Sequence, residues 1–170
     1  MALIQSVKGI APKISKSCFL AENSTVVGDV ILGDQCSVWY NAVIRGDVHS
    51  IEIGDETNIQ DGAVIHCTYQ KAATKIGSRV SIGHKAIVHG CSIHDDVLIG
   101  MGAIIMDHAI VETGSIVAAG AIVTSGTRVE AHTIFAGIPA KKIKAVSEDN
   151  LTMIKRIAKN YTLYKTWVDQ

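Results

Sequence analysis

Proline is almost absent from this chain, with 2 residues in 170, and aromatic residues make up only 5%. The first absence excludes a proline-rich linker or collagen-like chain, and the second leaves little material for a base-stacking surface. Neither sign of charge is in excess: 16 Lys+Arg against 16 Asp+Glu give a formal net charge of zero. The chain therefore lacks the basic surplus of a nucleic-acid binder, and no nucleic-acid partner is expected. No apolar run reaches the roughly 18 residues that a membrane-spanning helix needs, so no membrane partner is expected either. The first residues, MALIQSVKG, lack the basic start and long apolar core of a secretory signal. Four cysteines (Cys18, Cys36, Cys67 and Cys91) are too sparse to be a disulfide framework. A cytoplasmic protein with reduced thiols is expected.

What the chain has in abundance is a six-residue repeat of apolar positions. Leu20, Val26, Leu32, Val38 and Ile44 are spaced by six, as are Ile53, Ile59 and Ile65, and Ile76, Ile82 and Val88. The longest run is Ile93, Ile99, Ile105, Val111, Val117, Val123, Val129 and Phe135. Four positions after the members of that run come Val97, Ala103, Ala109, Ser115, Ala121, Thr127 and Thr133, all small or β-branched. A period of six fits neither an α-helix nor one long strand. It fits short strands joined by tight turns, each forming one side of a narrow prism, with the apolar residue pointing inward and the small one filling the corner. Three sides give a coil of about 18 residues, and coils stack at about 4.8 Å through parallel hydrogen bonds. The span from residue 14 to 140 then holds roughly seven coils.

The phase slips at three places: by nine from Ile44 to Ile53, by eleven from Ile65 to Ile76, and by five from Val88 to Ile93. Insertions in solenoids become loops on one face, often the functional one. After Ile143 the pattern changes. Ser147 is a helix N-cap, Glu148 and Asp149 suit the first turn, and Leu151, Ile154, Ile157, Ala158, Tyr161, Tyr164 and Val168 recur every three to four residues. The chain thus divides into a β-helix over residues 1–143 and an amphipathic helix over 144–170, which must pack on the prism or on a neighbouring subunit.

Seven histidines are unevenly spread, and His66, His84 and His89 cluster around the longest slip. Imidazole is a common ligand of zinc and related ions, and three protein ligands with an open position make a catalytic site. His66 and His89 occupy the same position within a repeat, while His84 stands one prism side before His89. Side chains on neighbouring sides diverge by about 120° in a three-sided coil, so they converge on one ion only where two subunits meet, and a three-fold ring closes such contacts. Whether His66 and His89 share a side depends on the course of residues 67–75, which the spacing leaves open.

The strings Arg45-Gly-Asp47, Asn58-Ile-Gln60-Asp61-Gly-Ala-Val-Ile-His66 and Ile82-Gly-His84-Lys-Ala-Ile-Val-His89-Gly-Cys91, with the closing Gly137-Ile-Pro-Ala-Lys141 and the terminal helix, resemble the gamma-class carbonic anhydrase family. The resemblance covers nearly the whole chain and implies an all-β, left-handed parallel β-helix of hexapeptide repeats with a C-terminal α-helix. It implies a homotrimer with metal sites between subunits, His66 and His89 coming from one and His84 from the next. Zn2+ is the implied metal, with iron or cobalt as other occupants. A metal-bound hydroxide would hydrate carbon dioxide to bicarbonate. Gln60 and Asn58 would orient that hydroxide or the substrate, and Arg45, Asp47 and Asp61 would form an ion-pair network across the subunit boundary.

The chain departs from the most active members, which carry proton-shuttling glutamates near the site. Residues 67–74 read CTYQKAAT, without an acid, and Val48 follows Asp47. Lowered activity is expected, with Tyr161, His94 and Cys67 as weak candidates for proton transfer. Tyr161 is better read as a packing residue, Cys67 and Cys91 as core fillers, and Asp95-Asp96 and Asp107-His108 as solvated turns. Three other functions stay open: metal-dependent hydrolysis of an ester or thioester, hexapeptide-repeat acyl transfer, and a non-catalytic trimeric assembly component.

Overall fold

The computed structural model describes residues 1–168. Its short strands wind into seven stacked coils of a parallel β-helix. One face of the prism is built by Phe19–Leu20, Ser37–Val38, Asn58–Ile59, Ser81–Ile82, Leu98–Ile99, Ile116–Val117 and Thr133–Ala136, successive members pairing in parallel. The register stacks Val38, Ile59, Ile82, Ile99 and Val117 into one column, each fully buried, and Phe135 closes it. The hexad residues are therefore the inward side chains of a narrow core. Ala103, Ala109 and Ala121 fill the corners and are likewise buried.

The other two faces form one 12-stranded sheet, because two long strands, Thr25–Leu32 and Val43–Ile53, pass round a corner without a turn. They pair in parallel, with Gly28 opposite Gly46. A Cβ on Gly28 would lie 2.3 Å from the Gly46 carbonyl oxygen, and Gly28 has φ +78°. Only glycine lets the two backbones approach here.

Each phase slip has a structural form. Between Gly46 and Ile51 the strand carries three more residues than its partner does between Gly28 and Val30, a bulge made of Asp47, Val48 and His49. The eleven-residue step holds an excursion closed by an antiparallel bridge from Thr68 to Ala72, after which Thr74–Ile76 rejoins the sheet. The five-residue step is taken up at Gly90, which has φ +55°. Because residues 67–73 are an excursion, the strands Val64–His66 and Ile87–His89 stay in register, with His66 directly opposite His89.

After the last coil, Lys141–Ala145 turns back antiparallel on Thr133–Ala136. This return strand carries the β-structure two residues past the boundary expected at 143, and the helix spans Glu148–Tyr164. Ser147 caps it, accepting from the Asn150 backbone N–H while the Asn150 side chain accepts from the Ser147 N–H. Ser147→Ala is expected to cost about 1 kcal/mol, read as a lowered denaturant midpoint with unchanged slope. The helix packs on its own prism: Ile154 and Ala158 are buried, Tyr161 meets Trp39 edge-on at 5.4 Å, and Lys165 Nζ donates to Ser17 O at 2.8 Å and Gln35 Oε1 at 2.7 Å. Val168 lies beyond the helix end, and Asp169 and Gln170 lie outside the described residues. Among the described residues no helix is long and apolar enough to cross a membrane.

Candidate metal centre

The excursion and the bulge bring His66, His89 and Asp47 together. His66 Nδ1 and His89 Nε2 face each other at 3.0 Å. The far nitrogen of each ring is held by a carboxylate: His66 Nε2 by Asp47 Oδ1 at 3.0 Å, and His89 Nδ1 by Asp107 Oδ1 at 2.5 Å. A carboxylate accepts, so both outer nitrogens carry hydrogen and the facing nitrogens are free to offer lone pairs. Two nitrogens bound to tetrahedral zinc at the usual distance stand about 3.3 Å apart, close to the spacing seen here. Outer-shell carboxylates that fix the histidine tautomer are the normal accompaniment of such ligands.

The third histidine stands elsewhere. His84 has Asp61 Oδ2 2.8 Å from its Nδ1, which leaves Nε2 outward. Among the described residues no three His, Cys, Asp or Glu side chains of a single chain gather into a metal-binding group. The donor set nevertheless fits a divalent ion: three imidazoles, each with its own carboxylate, on two separate edges of one prism.

Gln60 shares an apolar groove with His84, bounded by Leu98, Ile116 and Ile157. Its Nε2 donates to Asn58 Oδ1 at 3.0 Å, and Asn58 Nδ2 donates to Ser81 Oγ at 2.8 Å. Both amides are buried, so this chain fixes their orientation and leaves Gln60 Oε1 as the remaining acceptor. The structure thus groups Gln60 and Asn58 with His84, and Arg45 and Asp47 with His66.

Arg45 pairs with Asp47 within the chain, whereas Asp61 takes His84 instead. Arg45, Asp47 and Asp61 therefore do not form one network within a single chain. Burial works against the Asp47 charge, but hydrogen bonds from His66 and Arg45 outweigh it and hold the carboxyl below the usual carboxylate range. The same balance lowers Asp107, where burial is opposed by hydrogen bonds from Thr68 and His89.

Asp107 corrects the sequence reading, which takes Asp107-His108 as a solvated turn. Its second oxygen accepts from Thr68 Oγ1 on the excursion, so it ties two loops to His89. The signal that could have found it is its distance of one coil from His89. The weak candidates for proton transfer fare differently. Cys67 is buried with its thiol on the His49 carbonyl, and burial pushes its pKa up. Burial, with the nearby Asp61 charge, pushes Tyr161 up to about 12. Neither exchanges protons readily at neutral pH. His94 lies in a separate groove with Asp95 and Thr113. Cys91 is buried, as a core filler should be.

The family model described as Bacterial transferase hexapeptide (six repeats) matches residues 90–125. The "Probable carbonic anhydrase" of Methanocaldococcus jannaschii is 53% identical over 148 residues, covering 87% of this chain and 92% of that protein. "Gamma carbonic anhydrase 2, mitochondrial" of Arabidopsis thaliana is 38% identical over 89% of this chain, which spans 56% of that longer protein. Among solved structures, a "hexapeptide transferase family protein" from Anaplasma phagocytophilum superposes with a TM-score of 0.94 at 37% identity, covering 98% of each chain. Fold, motifs and relatives agree: the chain belongs to the gamma-class carbonic anhydrase family of hexapeptide-repeat β-helix proteins.

Proposed function

We propose that this chain forms a homotrimeric metalloenzyme that hydrates carbon dioxide to bicarbonate at sites between subunits. The observation that carries this reading is the carboxylate-backed pair His66–His89, with His84 and its own Asp61 on a different edge. His66 Nδ1 and His89 Nε2 of one subunit and His84 Nε2 of the next would hold Zn2+, with iron or cobalt as other occupants. When bound, such an ion lowers the pKa of water to about 7 and so supplies a nucleophile at neutral pH.

The remaining chemistry belongs to the protein. Asp47 and Asp107 each accept the outer N–H of one histidine, which fixes the tautomer and aims the lone pair, and Asp61 stands as an ion-pair partner 2.8 Å from His84 Nδ1. Gln60, held by Asn58, presents a fixed carbonyl oxygen beside His84 and orients a hydrogen-bond donor there. The apolar walls from Leu98, Ile116 and Ile157 suit an uncharged substrate such as carbon dioxide and exclude competing polar ones. Arg45, exposed and paired to Asp47, steadies that carboxylate from the solvent side. Without an acid in residues 67–74, proton removal depends on buffer, and hydration is slow at low buffer concentration.

Asp107→Asn keeps the shape but weakens the hold on the His89 tautomer. Metal affinity is expected to fall about 10–100-fold, measured by competition with a coloured chelator, with the fold intact by circular dichroism. The function itself is tested by stopped-flow carbon dioxide hydration on metal-loaded protein, beside acyl-CoA and ester substrates. Hydration that is lost in His84→Ala supports the reading. Acyl-CoA turnover without hydration overturns it in favour of hydrolysis or acyl transfer, the latter being the activity class that the Anaplasma relative's name carries. A trimer with neither activity points to an assembly role.

A further inference from the structure

Cys18 and Cys36 are one coil apart, beside the first two strands of one prism face. Their neighbours Phe19 and Ser37 are direct partners in parallel strands, and the Phe19 N–H donates to the Cys36 carbonyl at 2.9 Å. The two cysteines are therefore stacked in successive coils at about 4.8 Å, inside the roughly 4.4–6.8 Å Cα separation that a disulfide spans. Each thiol donates to a glycine carbonyl one coil on, Cys18 to Gly33 at 3.0 Å and Cys36 to Gly54 at 3.1 Å. These weak bonds point both sulfurs along the stacking direction.

The two differ in access. Cys36 is fully buried, whereas Cys18 is partly exposed and lines an open groove with Met1, Glu22 and Tyr40. A cation is fixed beside them: Lys165, almost buried at the end of the helix, bonds Ser17 and Gln35, the residues immediately before the two cysteines.

We propose that Cys18 and Cys36 are a peroxide-responsive thiol pair, Cys18 as the attacking sulfur and Cys36 as the resolving one, closing a disulfide between the first two coils. The Cys18 thiolate attacks one oxygen of a hydroperoxide. The O–O bond breaks, the alcohol or water leaves with a proton, and Cys18 becomes a sulfenic acid while the peroxide is reduced. The Cys36 sulfur then displaces the hydroxyl from Cys18, the S–O bond breaks, and water leaves with the Cys36 proton. Once Cys18 is a thiolate, the Cys36 S–H turns from the Gly54 carbonyl to the Cys18 sulfur, and this bond, with help from Lys165, brings the Cys18 thiol down to about 7. The hydrogen bond to Cys18 and burial both drive Cys36 up, so it waits as a thiol. Burial pushes Cys91 up to about 12 and also raises Cys67, which sets both apart as inert.

The test needs neither metal nor turnover. The wild-type protein is treated with limiting hydrogen peroxide, alkylated and digested with trypsin. Residues 17–45 form one tryptic peptide that holds both cysteines. It is expected to lose two hydrogens, resist alkylation and recover on reduction, while Cys67 and Cys91 remain alkylated. Before oxidation, iodoacetamide should modify Cys18 at least about tenfold faster than Cys67 or Cys91 at neutral pH, with a rate that rises through a midpoint near 7. Cys36→Ser should trap the sulfenic acid at Cys18 as a dimedone adduct. Oxidation that falls on Cys67 or Cys91 first, or a 17–45 peptide that never closes, overturns the proposal, and the wild-type readout stands even where the variant folds poorly.

Discussion

His89→Ala is expected to purify as a folded protein that has lost its metal and its carbon dioxide hydration. His89 lies at the edge of the core, its ring about one-third exposed, so truncation removes little buried apolar area. What it does remove is one of the two nitrogens that face each other at 3.0 Å. Structural zinc sites with four ligands bind with about 10–16 kcal/mol, so one ligand is worth roughly a quarter of that, or on the order of 10²–10³-fold in affinity. The loss should exceed that of Asp107→Asn, which leaves all three ligands in place. Metal per chain after dialysis against a chelator is the measurement, with His94→Ala, in its separate groove, as the variant that keeps its metal. Equal metal content in His89→Ala and wild type would remove the histidine pair from the site.

Ile82→Ala should produce the largest loss of stability. Ile82 is fully buried between Ile59 and Ile99 in the central column, so its cavity opens between two coils that cannot close over it without losing their own register. Such truncations cost about 2–5 kcal/mol, which for a chain of this length is a fall in melting temperature on the order of 10 °C. In a solenoid each coil is stabilised mainly by its neighbours, so the damage spreads both ways. It also reaches His84, two residues along the same turn. Ile143→Ala, on the exposed last strand, should stay within about 0.5 kcal/mol of wild type. A comparable loss in both variants would mean that the core column does not carry the stability.

The hexad pattern was enough to read the prism, because a narrow core admits one inward residue per side and the sequence repeats that demand at Ile93, Ile99, Ile105 and onward. The positions of the phase slips were legible too, but not their forms. A three-residue bulge at Asp47–His49 and a closed excursion at Thr68–Ala72 are both insertions in sequence, and only pairing distinguishes them. That difference decides the site, since it puts His66 opposite His89. The role of Asp107 was hidden for a related reason. Contacts across coils join residues about 18 apart, or more where an excursion intervenes, as from Asp61 to His84. A motif read along the chain does not connect them. The Gln60–Asn58–Ser81 chain was likewise visible only as two amides near a histidine string. The divergence of His84 from His89 followed from prism geometry alone, whereas the place of His66 needed the course of residues 67–73.

The proposal of an interfacial site is tested most directly by subunit mixing. His84→Ala and His89→Ala, each inactive alone, are unfolded together, refolded in equal amounts and assayed for metal and hydration. If the ligands are split between subunits in a closed ring, a random mixture rebuilds an intact site wherever the two variants meet in the right order, about a quarter of all sites. Recovery of about a quarter of wild-type metal and activity is the expected result. A mixture as empty as its two components, despite proven exchange of subunits, would contradict it.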